Sequence, residues 1–189
     1  MSDRRFFFRM SILLAGAHLI LALNLSCQST VSSETSVSFF QYEAERDAGD
    51  IEAHFKADLK WLTNNPLLDV NHLIRSRPEG AQETTVLRTS EGELLGFITY
   101  GTKSSRTQGH VRLVLVAKNH RGKNWGKRLM QYAEHRLRKK GCDEIDLYTK
   151  VSNIGARRFF EGLGYRGLPM HRPDFVTMKK VFSTSKVGV

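Results

Sequence analysis

The residues with the plainest chemistry are crowded into one stretch. From 114 to 127 the chain reads Val-Leu-Val-Ala-Lys-Asn-His-Arg-Gly-Lys-Asn-Trp-Gly-Lys. A β-branched run enters a turn that holds Arg121, Gly122, Lys123, Asn124 and Gly126, and an amphipathic pattern opens at Trp125. Glycine lets main chain come close to a ligand and take angles that other residues avoid. The first amides of a helix have no internal acceptor, and they lie at the positive end of its dipole. Strand, turn and helix mouth together make an anion site, suited above all to phosphate. Arg121, Lys123 and Lys127 add charge at its rim, where charge-assisted hydrogen bonds are strongest. Two better-known phosphate motifs are excluded. Gly122 and Gly126 are too close for a P-loop, and Arg128 stands where its hydroxyl residue belongs. The dinucleotide fingerprint G-x-G-x-x-G is absent.

The surrounding pattern supplies elements to position this turn. Residues 37–42 alternate and predict a first strand. Ile51, Phe55, Leu59 and Leu62 fall at helical spacing and predict one helix over 47–62, stopped by Asn64-Asn65-Pro66. Val70, Leu73 and Ile74 predict a second helix within 67–75, ending before Pro78-Glu79-Gly80. Runs at 84–89 and 94–101 flank Ser90-Glu91-Gly92-Glu93 and read as a hairpin. The stretch 111–117, with Val111, Val114 and Val116, should be a central strand. Leu129, Met130, Ala133 and Leu137 form one face of a helix over 125–140, with basic residues opposite and Gly141 placed to end it at positive φ. A strand at 145–149 follows, then a helix over 153–163 closed by Gly164. Residues 165–174 read as an irregular basic segment, and 175–181 as a last strand. The order β-α-α-β-β-β-α-β-α-β implies an α/β (α+β) domain: a mixed, mostly antiparallel sheet of six to seven strands with helices on both faces.

Two segments carry a resemblance. Arg-Gly-Lys-Asn-Trp-Gly at 121–126 resembles the acyl-CoA signature R/Q-x-x-G-x-G/A of the GNAT superfamily of N-acyltransferases. Asn-Ile-Gly-Ala-Arg-Arg-Phe-Phe-Glu-Gly-Leu-Gly-Tyr at 153–165 is similar to the second signature of that family, N-x-x-A-x-x-F-Y-x-x-x-G-F/Y. The resemblance covers residues 37–182. It implies acetyl-CoA as co-substrate, no metal, and a small-molecule or protein amine as acceptor. The amine would attack the thioester directly, with no covalent enzyme intermediate. By the same resemblance the backbone of Leu115 and Val116 would bind the pantetheine and the acyl carbonyl, and the Val116 amide would stabilise the carbonyl oxygen. The amides of Gly122, Lys123, Asn124, Trp125, Gly126 and Lys127 would cradle the pyrophosphate. Asn153 would touch the donor from across the cleft, and Phe160 would line the thiol channel.

The sequence departs from the family pattern twice. Asn124 replaces the middle glycine of the first signature, and Asn tolerates left-handed backbone better than most residues. Phe160 stands where many members have a tyrosine that protonates the leaving thiolate, and Phe has no proton to give. Another group, water, or unaided departure would have to serve, with Tyr148 one candidate. The general base is likewise unassigned, His110 fitting a plain strand-start residue as well. Trp125 and Met130 suit a helix core, Asn153 suits a helix cap, and Cys142 reads as a buried structural thiol.

Composition narrows the classes further. Two cysteines allow no disulfide framework, and seven scattered histidines without H-E-x-x-H point away from metal chemistry. The formal charge is +10, and residues 101–140 alone hold twelve Lys and Arg against one acid, Glu134. Such a block draws phosphates. It also suits two other readings: an acyl-CoA-binding module with weak turnover, or a binder of anionic membrane or nucleic acid. Nucleic acid is disfavoured because aromatics are not interleaved for base stacking. Residues 1–36 form a separate segment. Arg4, Arg5 and Arg9 precede an apolar run over 12–25, then a polar linker over 28–36, the layout of a signal or anchor. Arg4-Arg5-Phe6-Phe7-Phe8-Arg9 resembles a twin-arginine export pattern, and Leu25-Ser26-Cys27 a lipoprotein processing site. Membrane association through residues 4–25 and export are therefore expectations, set against the cytosolic supply of acyl-CoA. Residues 183–189 read as a tail.

Overall fold

The computed structural model describes residues 36–65, 67–75, 82–104, 107–169 and 173–182. Seven strands, β1 (Val37–Gln41), β2 (Gln82–Thr89), β3 (Leu94–Thr102), β4 (Gln108–Val116), β5 (Glu144–Lys150), β6 (Arg166–Leu168) and β7 (Phe175–Val181), join one sheet in the order β1-β2-β3-β4-β5-β7-β6. Every neighbouring pair is antiparallel except β4 with β5. That parallel pair needs a crossover, and α4 (Trp125–Lys139) supplies it. The remaining helices are α1 (Ala44–Phe55), α2 (Leu59–Leu62), α3 (Val70–Arg75) and α5 (Ile154–Gly162).

Each face of the sheet has its own core. Leu129, Met130, Ala133 and Leu137 of α4 pack with Phe160 of α5 against Val111, Ile145 and Leu147. On the opposite face Ile51 and Phe55 of α1 and Val70, Leu73 and Ile74 of α3 pack against Val86, Phe97 and Leu113. Val111 and Leu113 are two apart and should share a face, yet they enter opposite cores. The cause is a bulge: Tyr100 pairs with Val111 and Thr99 with Leu113, leaving Arg112 as an extra residue on β4. A bulge of this kind bends its strand and increases the local twist.

Caps and breaks fall largely where the residue types place them. Gly141 ends α4 at φ +89°, with the Gly141 and Cys142 amides returning to Arg138 and Leu137 carbonyls at 2.9 and 3.1 Å. Gly164 closes α5 at φ +88°. The single helix expected over 47–62 is instead two. It starts earlier, at Ala44, and changes at Phe55 (φ −119°) into a 3-10 turn over Lys56–Asp58 before α2. Helical spacing of apolar residues survives such a break, so the pattern alone hid it. Part of the segment read as irregular, Arg166–Leu168, forms edge strand β6 against β7. Its exposure on every residue left no alternation to detect.

Residues 4–25, expected to form a signal or anchor, and the tail at 183–189 lie outside the described residues. Among the described residues no helix is long and apolar enough to cross a membrane.

Candidate active site

The parallel ladder between β4 and β5 is short: it runs from Gln108↔Glu144 to Val111↔Leu147 and stops at the bulge. Beyond it the strands part. The Ala117 amide donates to the Leu95 carbonyl at 2.9 Å, and alternate residues of an antiparallel strand face the same neighbour, so Leu115 also turns its main chain to β3. Val114 and Val116 turn theirs to the open side that β5 has left. The Val116 carbonyl there accepts from Arg121 Nε at 2.9 Å.

The same opening receives the turn before α4. Gly122 sits at φ +79° with nothing within 4 Å of where a Cβ would stand. Asn124 takes φ 64°, the left-handed angle that its side chain tolerates. Its side chain makes no capping bond, and the first helical bond runs from the Arg128 amide to the Asn124 carbonyl at 3.1 Å. The amides of Trp125, Gly126 and Lys127 therefore precede the hydrogen-bonded turns and point out of the helix end. Gly126 is also needed for packing: a Cβ there would lie 3.1 Å from Phe159 Cζ.

Strand edge and helix mouth border one cavity of about 580 Å³. The structure brings Leu115, Val116, Arg121, Gly122, Asn124, Trp125, Gly126, Lys127, Asn153 and Phe160 into its lining. Lys123 is not among them and stays exposed on the turn. The Leu115 main chain is committed to β3, so of the two strand residues expected to bind the donor through their backbone only Val116 turns it to the open side. Asn153 caps α5, accepting from the Ala156 amide at 3.1 Å, and still borders the cavity. Phe160 is buried between Phe159 and Tyr165, with ring centroids 5.1 and 6.0 Å away. Trp125 Nε1 is buried and has no hydrogen-bond partner among the described residues. An open strand edge, an apolar throat and a ring of uncapped amides fit a long thioester arm that ends in a diphosphate. Arg121 is less available than its position suggests, because it also pairs with Asp58 at 2.6 Å.

A second cavity of about 630 Å³ lies alongside and shares Trp61, Leu62, Arg112, Leu113 and Tyr148 with the first. His110 lines it. Its Nδ1 lies 2.6 Å from Asp146 Oδ1, on the strand that pairs residue for residue with it. Asp146 is buried and also accepts from Lys103. Burial alone would raise the Asp146 pKa, but the His110 and Lys103 hydrogen bonds outweigh it and hold the carboxyl below its ordinary value. An ionised Asp146 fixes the proton on Nδ1 and leaves Nε2 as an acceptor. Tyr148, 44% exposed, stands 5.0 Å from the His110 ring. Cys142 is buried, and burial pushes its thiol pKa up. Neither Asp146 nor Asp58 stood out in the sequence. Each acquires meaning only from a partner on a distant segment.

The split sheet with its amide-lined mouth is the acyl-CoA N-acyltransferase fold. It superposes on a GCN5-related N-acetyltransferase from Kribbella flavida with a TM-score of 0.63, at 18% identity, over 77% of this chain and 98% of that one. Spermidine N-acetyltransferase from Vibrio cholerae, in complex with CoA and spermine, matches with a TM-score of 0.61 at 16% identity, over 78% of this chain and 96% of that one. Residues 48–165 match the model of the acetyltransferase (GNAT) family, and the chain belongs to that family. N-alpha-acetyltransferase 30 of Saccharomyces cerevisiae is 30% identical over 80 residues, which span 42% of this chain and only 40% of that protein.

Proposed function

We propose that the protein transfers an acetyl group from acetyl-CoA to a primary amine by direct attack within a ternary complex. The observation that carries this reading is the continuity of unused main-chain donors. The outward amides of Val114 and Val116 and the uncapped amides of Trp125, Gly126 and Lys127 border one cavity. The helix end suits the diphosphate, and the strand edge suits the pantetheine arm and the thioester oxygen as it gains charge. Preorganised amides cost no rearrangement when that charge appears, which is where such groups act most strongly.

The neighbouring cavity suits the acceptor. An amine attacks only when neutral and must lose a proton as the new bond forms. His110, held through Nδ1 by Asp146, offers Nε2 for that proton. Phe160 keeps the throat apolar and supplies no acid. Tyr148 borders both cavities and carries a hydroxyl, which supports it as the group that returns a proton to the departing thiolate. The yeast and Vibrio proteins are both named for transfer to nitrogen, which supports the acceptor class without choosing the acceptor.

Thermal unfolding with coenzyme A, joined to thiol release from acetyl-CoA over an amine panel, tests the reading. At a hundredfold excess over Kd, coenzyme A should raise the midpoint by about 5 °C or more. Gly126→Pro should remove the shift, because the ring deletes one cradle amide, and should also lower the midpoint without ligand, because the added Cβ would press on Phe159. A wild-type midpoint unmoved by coenzyme A would sink the assignment. A shift without thiol release on any amine would reduce it to a binding module.

A further inference from the structure

We infer that Asp58 is a positioning residue that competes with the donor diphosphate for Arg121 and so ties the wall of the acceptor cavity to the donor cradle. The inference rests on reading the first cavity as the donor site. Among the described residues lining that cavity, Asp58 is the single carboxylate. A fixed anion beside a polyanion's cradle opposes binding by Coulomb repulsion, so its presence calls for a compensating role. It is not a helix cap. Asp58 occupies the N-cap position of α2, a favoured place for Asp, yet its side chain makes no capping bond. The carboxylate instead reaches to Arg121, with Oδ2 at 2.6 Å from an Arg121 terminal nitrogen. The acid is 14% exposed and the guanidinium 47%.

Arg121 thereby bridges three places. Nε holds the Val116 carbonyl on the open edge of β4, a terminal nitrogen holds Asp58, and the backbone leads into the Gly122–Asn124 turn. Asp58 in turn begins the short segment that presents Trp61 and Leu62 to both cavities. With the cradle empty, the ion pair neutralises Arg121 and pins this wall. An arriving diphosphate draws on the same guanidinium, and the wall is released to adjust around an acceptor. Donor occupancy is thus communicated to the acceptor side through one shared cation.

The test titrates the full chain with coenzyme A by calorimetry, comparing wild type, Asp58→Asn and Asp58→Glu. Hydrogen exchange across 59–63 is followed in the unliganded proteins. Asp58→Asn should bind coenzyme A about threefold or more tightly, the size expected for removing one partly screened charge. It should also exchange faster across 59–63, and Asp58→Glu should return both measures toward wild type. Asn preserves the shape of Asp58, so a purely structural role predicts no gain in affinity. Unchanged or weaker binding by Asp58→Asn overturns the inference, as does tighter binding without faster exchange. Failure of the wild type itself to bind coenzyme A strikes the donor-site reading instead, and the wild-type titration separates that case.

Discussion

His110 and Asp146 show how much chemistry a pairing register can create. Each belongs to a strand that packs for other reasons, and the parallel ladder sets them side by side, 36 residues apart in sequence. His110 was visible in the sequence as a strand-start residue. Its partner was not, because nothing local encodes which residues of two parallel strands face each other. The left-handed turn was more legible: Asn124 in place of glycine pointed to a surviving αL angle, and the structure has it. If His110 takes the proton of the attacking amine, His110→Gln should lower kcat by roughly 10²- to 10⁴-fold while leaving the Kd for coenzyme A unchanged. Steady-state kinetics on both proteins, with calorimetric titration of coenzyme A, provides the check, and an unaltered kcat would remove His110 from the reaction.

At the scale of elements, the order of strands and helices along the chain, the crossover helix and the hairpin followed from periodicity and turn residues. The 3-10 break after Phe55 and the edge strand Arg166–Leu168 did not, since neither changes the apolar spacing that periodicity reads. What anchors α1 was equally hidden. Asp47 is fully buried and accepts from the Glu43 amide at 2.9 Å, from Arg46, and from Arg88 at 2.7 Å. Burial pushes the Asp47 pKa up, but these hydrogen bonds prevail and hold it below the ordinary value. Removing one partner of a buried pair strands the other, at a typical cost of 3–5 kcal/mol. Asp50 retains one contact with Arg88, so Asp47→Ala should lose about 3 kcal/mol, near the low end of that range. Urea denaturation measures it, and a loss under about 1 kcal/mol would show the pair to be ornamental.

Over the whole molecule, the basic block at 101–140 is partly answered by acids from elsewhere in the chain. Glu83 meets Arg136 and Lys140, Asp58 meets Arg121, and Asp146 meets Lys103. The excess of positive charge in the sequence therefore overstates what is free to attract a polyanion. This network also fixes a pH dependence. Asp47, Glu83 and Asp146 all have folded pKa values below their ordinary ones, in each case against the opposing effect of burial. A carboxyl depressed on folding contributes its full stability above the unfolded value, and loses it as pH falls through the folded value. The melting midpoint should therefore vary little between about pH 7 and pH 5 and drop steeply below about pH 4. Calorimetry across that span tests this, and a midpoint that stays level to pH 3 would contradict it.

The extra residue on β4 has a consequence for how the protein can fail. Excising Arg112 would join Val111 to Leu113 in an unbroken alternation and leave every other pairing with β3 intact. Both hydrophobic layers would keep their occupants. The strand would lose its bend, and β5 could zip onto the Val114 and Val116 edge. Such a shortened chain should fold with its slot sewn shut, so that, on the function proposed above, a single codon would separate the capacity to fold from the capacity to bind a donor.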